Sequence, residues 1–488
     1  MPENTGVGTR VRKLQISPRA TAVLLTIASA TASVASADAI DDYVTAEMAA
    51  RNVPGIAVLV MRDGGVLKKQ GYGLANVELG VNVTPQTIFQ SASIGKQFTA
   101  AGVLLLAEDG KLSLDDPLSR HFPDSPTAWN RITIRQLLGH TSGIKDYSDE
   151  FDYRKDYTDD EMLAVMQALP LDFEPGTQWR YSNSGYLILG LLTTRLADKH
   201  WSEFQAERLF APLGMKTTRV ISERDIVPNR SAGYAHGDHG ELVNQEWVAP
   251  SFNRCADGAL YFSLEDLVAW ETALEARDFM RPASFEAWWT PARPSQGSRY
   301  PYGFGWFLSE QRGEPVIEHG GSWQGFRTSI TRYPAQRLTV VLLANAASVE
   351  PEAMSHTIAG LVDPRLRMRT ASSTDSNDED PLALSLRRVL EAWSIGEATP
   401  GMSPTLAMIP AGNPEEITDR EIAARRLEST RAVRTIGSDA LSEAATDLLQ
   451  DDSVRAVDLL LEGEPQSWVY RFRLDRNDRV VSLLSDRN

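Results

Sequence analysis

Ser93 and Lys96 stand three residues apart in "SASIGKQFTAAGVLLLAEDG", where an apolar helical pattern begins. Residues i and i+3 of a helix share a face, so this spacing sets a hydroxyl beside an amine. A serine hydroxyl is a weak nucleophile until a base takes its proton. A lysine can be that base only where burial or nearby cations disfavour its charged form. At a helix start the serine's own N–H lacks an internal partner and can donate to an oxyanion. The same spacing recurs at Ser142 and Lys145, where Gly143 breaks the register, so spacing alone does not choose between the pairs. Ser91 lies outside the register of Lys96.

Two further elements carry suitable chemistry. Tyr181-Ser182-Asn183 holds the only Tyr-x-Asn in the chain. In an extended loop Tyr181 and Asn183 point the same way. The phenol can relay a proton, and the amide can bind a substrate carbonyl or hold the lysine. His319-Gly320-Gly321-Ser322 follows the strand-like run "PVIE". Paired glycines beside a strand let a ligand lie against the backbone, and a peptide-like substrate can add there as a further strand. The N–H of Ser322 is a candidate second oxyanion donor. Taken singly, these elements are also ordinary features: a turn before a helix, and a hairpin glycine pair with a surface histidine.

The elements that must position these residues follow from pattern. "GIAVLVMRDGGVLKKQGYGLAN", Gly55 to Asn76, predicts two strands about an Asp63-Gly64 turn. Apolar residues at helical spacing from Phe98 predict a helix ending at Gly110. Residues from Trp129 to about Met280 predict mostly helices and long loops, including one capped by Ser263 with Asp266 completing a capping box. "PVIEHGG", "FRTSITRYP" and "LTVVLLANA" predict three late strands. Strands at both ends with helices between predict an α+β sandwich: one antiparallel sheet joining N- and C-terminal strands, with a helical insert beside it. "TASSTDSNDEDP", residues 370–381, is acidic and poor in apolar residues, which marks a linker. Residues 382–488 then form a small α+β domain in which "SWVYRFRLD" pairs with "AVDLLLEG" and "RVVSLLSD".

The order Ser-x-x-Lys, Tyr-x-Asn, His-x-Gly resembles the serine β-lactamase and penicillin-binding protein superfamily. "LLGHTSGI", "FEPGTQWRYSNSGYLILG" and "DGALYFSLEDLVAW" look like its class C β-lactamase, DD-peptidase and esterase branch. The resemblance covers Asp38 to Asp363, within a domain of residues 38–369. It implies that Ser93 is acylated and that Lys96 and Tyr181 share its proton. It implies that Asn183 contacts the acyl side chain and that His319, Gly320 and Gly321 form the substrate-binding strand. The N–H groups of Ser93 and Ser322 are then the oxyanion donors, and Tyr147 lines the cleft. The reaction implied is hydrolysis of a small amide or ester through an acyl-enzyme, without metal or cofactor. True β-lactamases usually carry lysine where this chain has His319, which sets it apart from efficient β-lactam hydrolysis. Arg327 and Arg254 are the candidate substitutes for that cation. The alternatives are a class C-like β-lactamase and a weakly catalytic protein that binds penicillin or cell-wall peptides.

Composition narrows the partners. The formal net charge is -16, and an acidic surface repels phosphate backbones, so nucleic acid is not an expected partner. Cys255 is the one cysteine, which excludes an internal disulfide and a thiolate zinc cluster and reads as a packing residue. His236 and His239 flank Asp238 in a Gly-rich turn with no clear further ligand, which reads as a solvated loop. "EAWWTP" reads as core or cleft wall, and no Gly-x-Ser-x-Gly elbow is present. Residues 1–37 read as a signal peptide: basic residues from Arg10 to Arg19, an apolar run from Ala20 to Ala32, then "ASA". Export to a periplasm or the cell exterior follows, with no stable membrane anchor after cleavage. The expected partner is a small-molecule or short-peptide acyl substrate, and nothing in the pattern sets an oligomeric state.

Overall fold

The computed structural model describes residues 39–222, 224–295, 299–367, 381–395, 397–402, 420, 423–428, 430–451, 453–463 and 468–485. The expected leader, and the expected linker apart from Pro381, lie outside these residues.

The run "GIAVLVMR" forms β1 (Gly55–Arg62), and a turn with positive φ at Asp63 and Gly64 returns the chain as β2 (Gly65–Asn76). The short β3 (Val81–Asn82) edges this hairpin. Two ribbons, β4 (Phe89–Gln90) with β7 (Tyr261–Phe262) and β5 (Tyr234–His236) with β6 (Leu242–Asn244), lie outside the main sheet. The late strands are β8 (Phe307–Gln311), β9 (Glu314–Trp323), β10 (Phe326–Tyr333) and β11 (Leu338–Ala344). The main sheet runs β3-β2-β1-β11-β10-β9-β8, antiparallel throughout. Its two sequence halves meet where β1 pairs β11, with Ile56 opposite Ala344 and Arg62 opposite Leu338. The sheet joining early and late strands is the one expected; β8 was not anticipated.

Both faces of the sheet are covered, which explains the unbroken apolar run of β1. Ala57, Leu59 and Met61 face the core shared with the helical insert. Ile56, Val58 and Val60 face a second core with Ile40 and Val44 of the helix at 39–50 and Met354 and Ile358 of the helix Pro351–Val362. Numbered from that first helix as α1, the insert holds α2 (Lys96–Glu108), α3 (Ile134–Leu138), α4 (Asp159–Ala168), α5 (Asn183–Ala197), α6 (Trp201–Gln205), α7 (Ala211–Leu213), α8 (Leu264–Ala276) and α9 (Pro282–Trp288). Helix α10 spans Pro351–Val362 and α11 spans Pro381–Ser394. Ser263 caps α8 through the capping box with Asp266.

Helix α2 is buried on every side from Lys96 to Leu106, so it runs through the middle of the insert. Its start corrects the sequence expectation. Ser93 lies in a 3-10 turn, Ala92–Gly95, and the α-helix proper begins at Lys96. The physical reason is crowding: Gly258 and Gly321 press backbone against this turn, and Ala92 takes a left-handed φ of 46°.

The C-terminal chain forms a four-stranded antiparallel sheet in the order β12 (Thr430–Ala440), β13 (Arg455–Gly463), β14 (Trp468–Leu474), β15 (Val480–Ser485). Tyr470, Phe472 and Leu474 of β14 pack with Leu386 and Leu390 of α11 in a separate core. The pairings of β14 with β13 and β15 are those the alternation predicts; β12 was not anticipated. Among the described residues, no helix is long and apolar enough to cross a membrane.

Candidate active site

The turn that carries Ser93 is held by the chain on several sides. Ser91 N–H donates to Leu260 O at 2.7 Å, and Ser91 Oγ donates to Ala92 O and Gly258 O at 3.0 Å each. Thr328 Oγ1 on β10 donates to Ser91 O at 2.7 Å. Gly321 on β9 lies between them: a Cβ there would stand 2.5 Å from Thr328 Oγ1, 2.8 Å from Ser91 O and 2.9 Å from Ala92 Cβ. Glycine is thus what lets the strand lie against the turn. Gly305 does the same at the start of α2, where a Cβ would meet Lys96 C and Gln97 N at 2.7 Å.

Lys96 is fully buried, at 0% exposure. Its Nζ lies 3.0 Å from Ser93 Oγ, 2.8 Å from Asn183 Oδ1 and 2.8 Å from the backbone oxygen of Asp257. The partners differ in kind. Two are carbonyl oxygens that only accept; the third is a hydroxyl that can also donate. A neutral amine has two N–H bonds and one lone pair. With both N–H bonds on Asn183 and Asp257, such an amine would turn its lone pair toward Ser93 Oγ, the arrangement a base needs. The second Ser-x-x-Lys pair has no such arrangement. Ser142 is buried and accepts from Ile144 N–H at 3.3 Å, whereas Lys145 pairs with Glu150.

Tyr181 packs its ring 4.9 Å from Lys96 Nζ. His140, which sequence reasoning did not single out, holds this loop. Its carbonyl accepts from Arg180 N–H at 2.9 Å, and its Nδ1 accepts from Ser182 N–H at 3.1 Å. Its ring lies 4.3 Å from that of Tyr181. One histidine therefore clamps the residues on both sides of Tyr181. The available signal was its place in "LLGHTSGI" and its left-handed φ of 56° within that turn is visible only in the fold.

Asn183 opens α5, and its N–H donates to Asp146 Oδ2 at 2.5 Å. Tyr147 lies beneath the site rather than on an open wall: it is 6% exposed, and its phenol donates to Asp257 Oδ2 at 2.5 Å. Burial pushes the Asp257 carboxyl up and the Tyr147 phenol further up. Adjacent residues Asp146 and Tyr147 thus brace the two carbonyl partners of Lys96, one through Asn183 and one through Asp257.

His319 is 3% exposed. Its Nδ1 lies 2.6 Å from Gly320 O and must donate to it. Nε2 then accepts from Tyr302 O–H at 3.2 Å. Burial, with Lys96 nearby, drives its pKa down to about 3. Where the sequence predicts a partly charged group near neutral pH, the fold supplies a neutral imidazole. Tyr302 and Phe307 complete the wall. Phe307 packs 5.1 Å from His319 and stacks parallel to Tyr181 at 6.5 Å, measured between ring centres. Strand β8 pairs β9 only from Glu314 to Glu318, so among the described residues it leaves His319 to Trp323 uncovered on that edge. Gly320 and Gly321 lie on this segment, and Ser322 there is exposed.

A pH dependence follows. The unfolded chain protonates His319 near 6.5, while the folded chain resists until about 3. Between those values the unfolded state binds more protons, so stability falls as pH drops. His140 is shifted in the same direction by burial, Lys96 and His319. We expect the melting temperature of wild type to fall between pH 7.5 and 5, and to fall less in His319→Gln. An equal fall in both would show that the imidazole is not held neutral.

Arg327 turns its Nε to Ala347 O at 3.0 Å, and the Arg254 side chain is exposed. Cys255 is buried against Ser251 O, and burial pushes its thiol up, as for a packing residue. Trp288 is core, with its indole donating to Phe304 O at 2.8 Å. Among the described residues no group of three or more His, Cys, Asp or Glu side chains could hold a metal.

Known proteins are similar to this chain in sequence and fold. The chain is 32% identical over 307 residues to a penicillin-binding protein of Bacillus subtilis (strain 168), covering 59% of this chain and 67% of that one. It is 29% identical to a D-aminopeptidase of Gluconobacter oxydans (strain 621H), matching 63% of this chain but only 58% of that protein's length. The crystal structure of D-amino acid amidase from Ochrobactrum anthropi SV3 superposes with a TM-score of 0.53 at 26% identity, covering 61% of this chain and 88% of that one. An octameric penicillin-binding protein homologue from Pyrococcus abyssi shares the fold over 90% of this chain and 97% of its own, with a TM-score of 0.61 at 22% identity. The Beta-lactamase family model matches residues 40–362, from the first helix through the main sheet to α10, and the chain belongs to that family.

Proposed function

We propose that this protein is a serine hydrolase that cleaves small amides or esters through an acyl-enzyme on Ser93. The observation that carries this is the buried Lys96 amine, with two carbonyl partners and Ser93 Oγ at 3.0 Å as the third. Ser93 Oγ bonds to the substrate carbonyl carbon, and its proton passes to Lys96, with Tyr181 as relay to the leaving amine or alcohol. The carbon–leaving-group bond breaks as that group is protonated. Water then attacks the ester, and its second proton returns to Ser93 Oγ as the acid departs. The N–H groups of Ser93 and Ser322 receive the oxyanion. Asn183 contacts the acyl side, and the uncovered edge of β9 from His319 to Ser322 receives the substrate backbone.

The names of the relatives, a D-aminopeptidase and a D-amino acid amidase among them, favour amide substrates with a small acyl group. The neutral His319 disfavours β-lactams, because it offers no cation to their carboxylate. Arg327 does not replace it simply, since its Nε is engaged at Ala347 O. From the signal-peptide pattern of residues 1–37 we expect this activity outside the cytoplasm, which fractionation of tagged full-length protein tests.

The test compares wild type and Ser93→Ala on a p-nitrophenyl ester, a D-amino-acid amide, a D-Ala-D-Ala peptide, a fluorescent penicillin and a chromogenic cephalosporin. Ester or amide turnover that Ser93→Ala loses is the expected result. Fast cephalosporin turnover by wild type would make it a β-lactamase instead. Penicillin labelling without turnover of any substrate would make it a binding protein. His319→Lys, whose longer side chain can carry its amine from the buried position to the open edge of β9, is expected to raise cephalosporin turnover by about tenfold or more; no rise would show that burial and Lys96 hold the new amine neutral as well.

A further inference from the structure

The C-terminal subdomain meets the catalytic domain at the edge of the main sheet. Strand β8 is that edge, and exposed edges are commonly covered by another element. The cover here is charged and buried. Arg471 on β14 is 3% exposed and Glu310 on β8 is 0% exposed. The guanidinium grips Glu310 with both arms, Nε to Oε1 at 2.7 Å and Nη2 to Oε2 at 3.0 Å. Asp458 at 2.6 Å and Asp439 at 3.0 Å complete its shell. The turn after β8 is gripped as well. Gly313 N–H donates to Glu310 Oε2, and Gly313 O accepts from Ser442 N–H, each at 2.8 Å. Leu449, from the helix Glu443–Leu449, enters the catalytic domain's own core.

The gripped strand also builds the site. Phe307 is the first residue of β8, three positions from Glu310, or roughly 10 Å along a strand. Its ring packs on Tyr181, Tyr302 and His319. Ser309, between them, donates to Glu318 Oε1 at 2.6 Å, next to His319 in sequence. Removing Arg471 would leave three carboxylates facing one another under the subdomain, with the strand edge free to move.

We propose that the C-terminal subdomain is a clamp on the site wall: Arg471 anchors it to Glu310, and through β8 the pair sets the position of Phe307 against Tyr181 and His319. Arg471 and Glu310 are positioning residues and touch no substrate.

The experiment uses the full chain with Arg471→Met, Arg471→Lys and Glu310→Gln. Amide hydrogen exchange is read by segment, beside ester kinetics. Arg471→Met is expected to speed exchange in residues 307–311 by about tenfold or more, leaving the central strand 55–62 unchanged. KM is expected to rise about threefold or more with kcat changed less than twofold, as for lost binding surface without lost chemistry. Arg471→Lys, which keeps the charge but not the fork, should fall between wild type and Arg471→Met. If Arg471→Met does not fold, Glu310→Gln decides by the same exchange reading. Unchanged exchange at 307–311, or an equal rise at 55–62, overturns the clamp. The exchange reading does not depend on catalysis. A wild type without hydrolase activity would therefore remove the proposed function while this result still tests the clamp.

Discussion

Ser93→Ala and Lys96→Met are each expected to lower kcat on the ester or amide substrate by about 10³-fold or more, with both variants still folded. Combining them should cost no more than the worse single change. The reason is that the two side chains act as one unit. Without the hydroxyl, Lys96 has no proton to take; without the amine, Ser93 Oγ remains a poor nucleophile. Lys96→Met keeps the length of the buried side chain but leaves Asn183 Oδ1 and Asp257 O without the donor they share. Some stability loss is therefore expected there and none from Ser93, whose side chain is partly exposed. The check is single-turnover kinetics on the three variants with circular dichroism of each. Multiplicative losses in the double variant would mean that the residues act in separate steps. Full activity in Ser93→Ala would remove Ser93 as the nucleophile.

Gly321→Ala is expected to be the most damaging change that alters no polar group. The added methyl would press on Thr328 Oγ1, Ser91 O and Ala92 Cβ, all at 2.9 Å or closer. Two of those atoms belong to the segment that leads into Ser93 and the third is hydrogen-bonded to it. Overpacking of this kind costs about 1–3 kcal/mol of stability. The larger effect is on geometry. The strand must back away from Ser93, carrying the N–H of Ser322 with it, and a misplacement of about 1 Å can cost about 10²-fold in rate. We therefore expect kcat/KM to fall by about that factor while the protein stays folded at 25 °C. Thermal melts and ester kinetics of Gly321→Ala measure both, and wild-type kinetics would show that the strand does not need this close approach. The neighbouring Gly320 faces elsewhere, with Glu352 occupying the space of its missing side chain. Its substitution should cost stability first and rate second.

The elements that could be read in advance share one property: their signal is local. The β1–β2 hairpin was legible because Asp63 and Gly64 suit positive φ and lie between apolar runs. The cap of α8 was legible because Ser263 and Asp266 satisfy each other within one turn. Strand β8 was not. Its "FLSEQ" has three buried polar residues, and two of them are held by partners far away, Glu310 by Arg471 and Gln311 by Tyr333. A polar residue buried by a distant partner carries no mark of burial in its own segment. The same holds for His140, whose work is to hold residues 180 and 182 forty positions later.

The sequence by itself determined the order of the chemical groups, the two-ended sheet with a helical insert, and the family resemblance of the first two thirds of the chain. Residue type and spacing are enough for that, because periodicity and capping act over a few residues. Only the tertiary structure decided which Ser-x-x-Lys pair is in contact, since Lys96 is buried beside Ser93 whereas Lys145 turns to Glu150. It alone decided that His319 is neutral, because burial and Lys96 set that charge. It also set the C-terminal subdomain against the strand that carries Phe307. Charge state and close approach depend on desolvation and on neighbours brought from across the chain, and those exist only once the chain has folded.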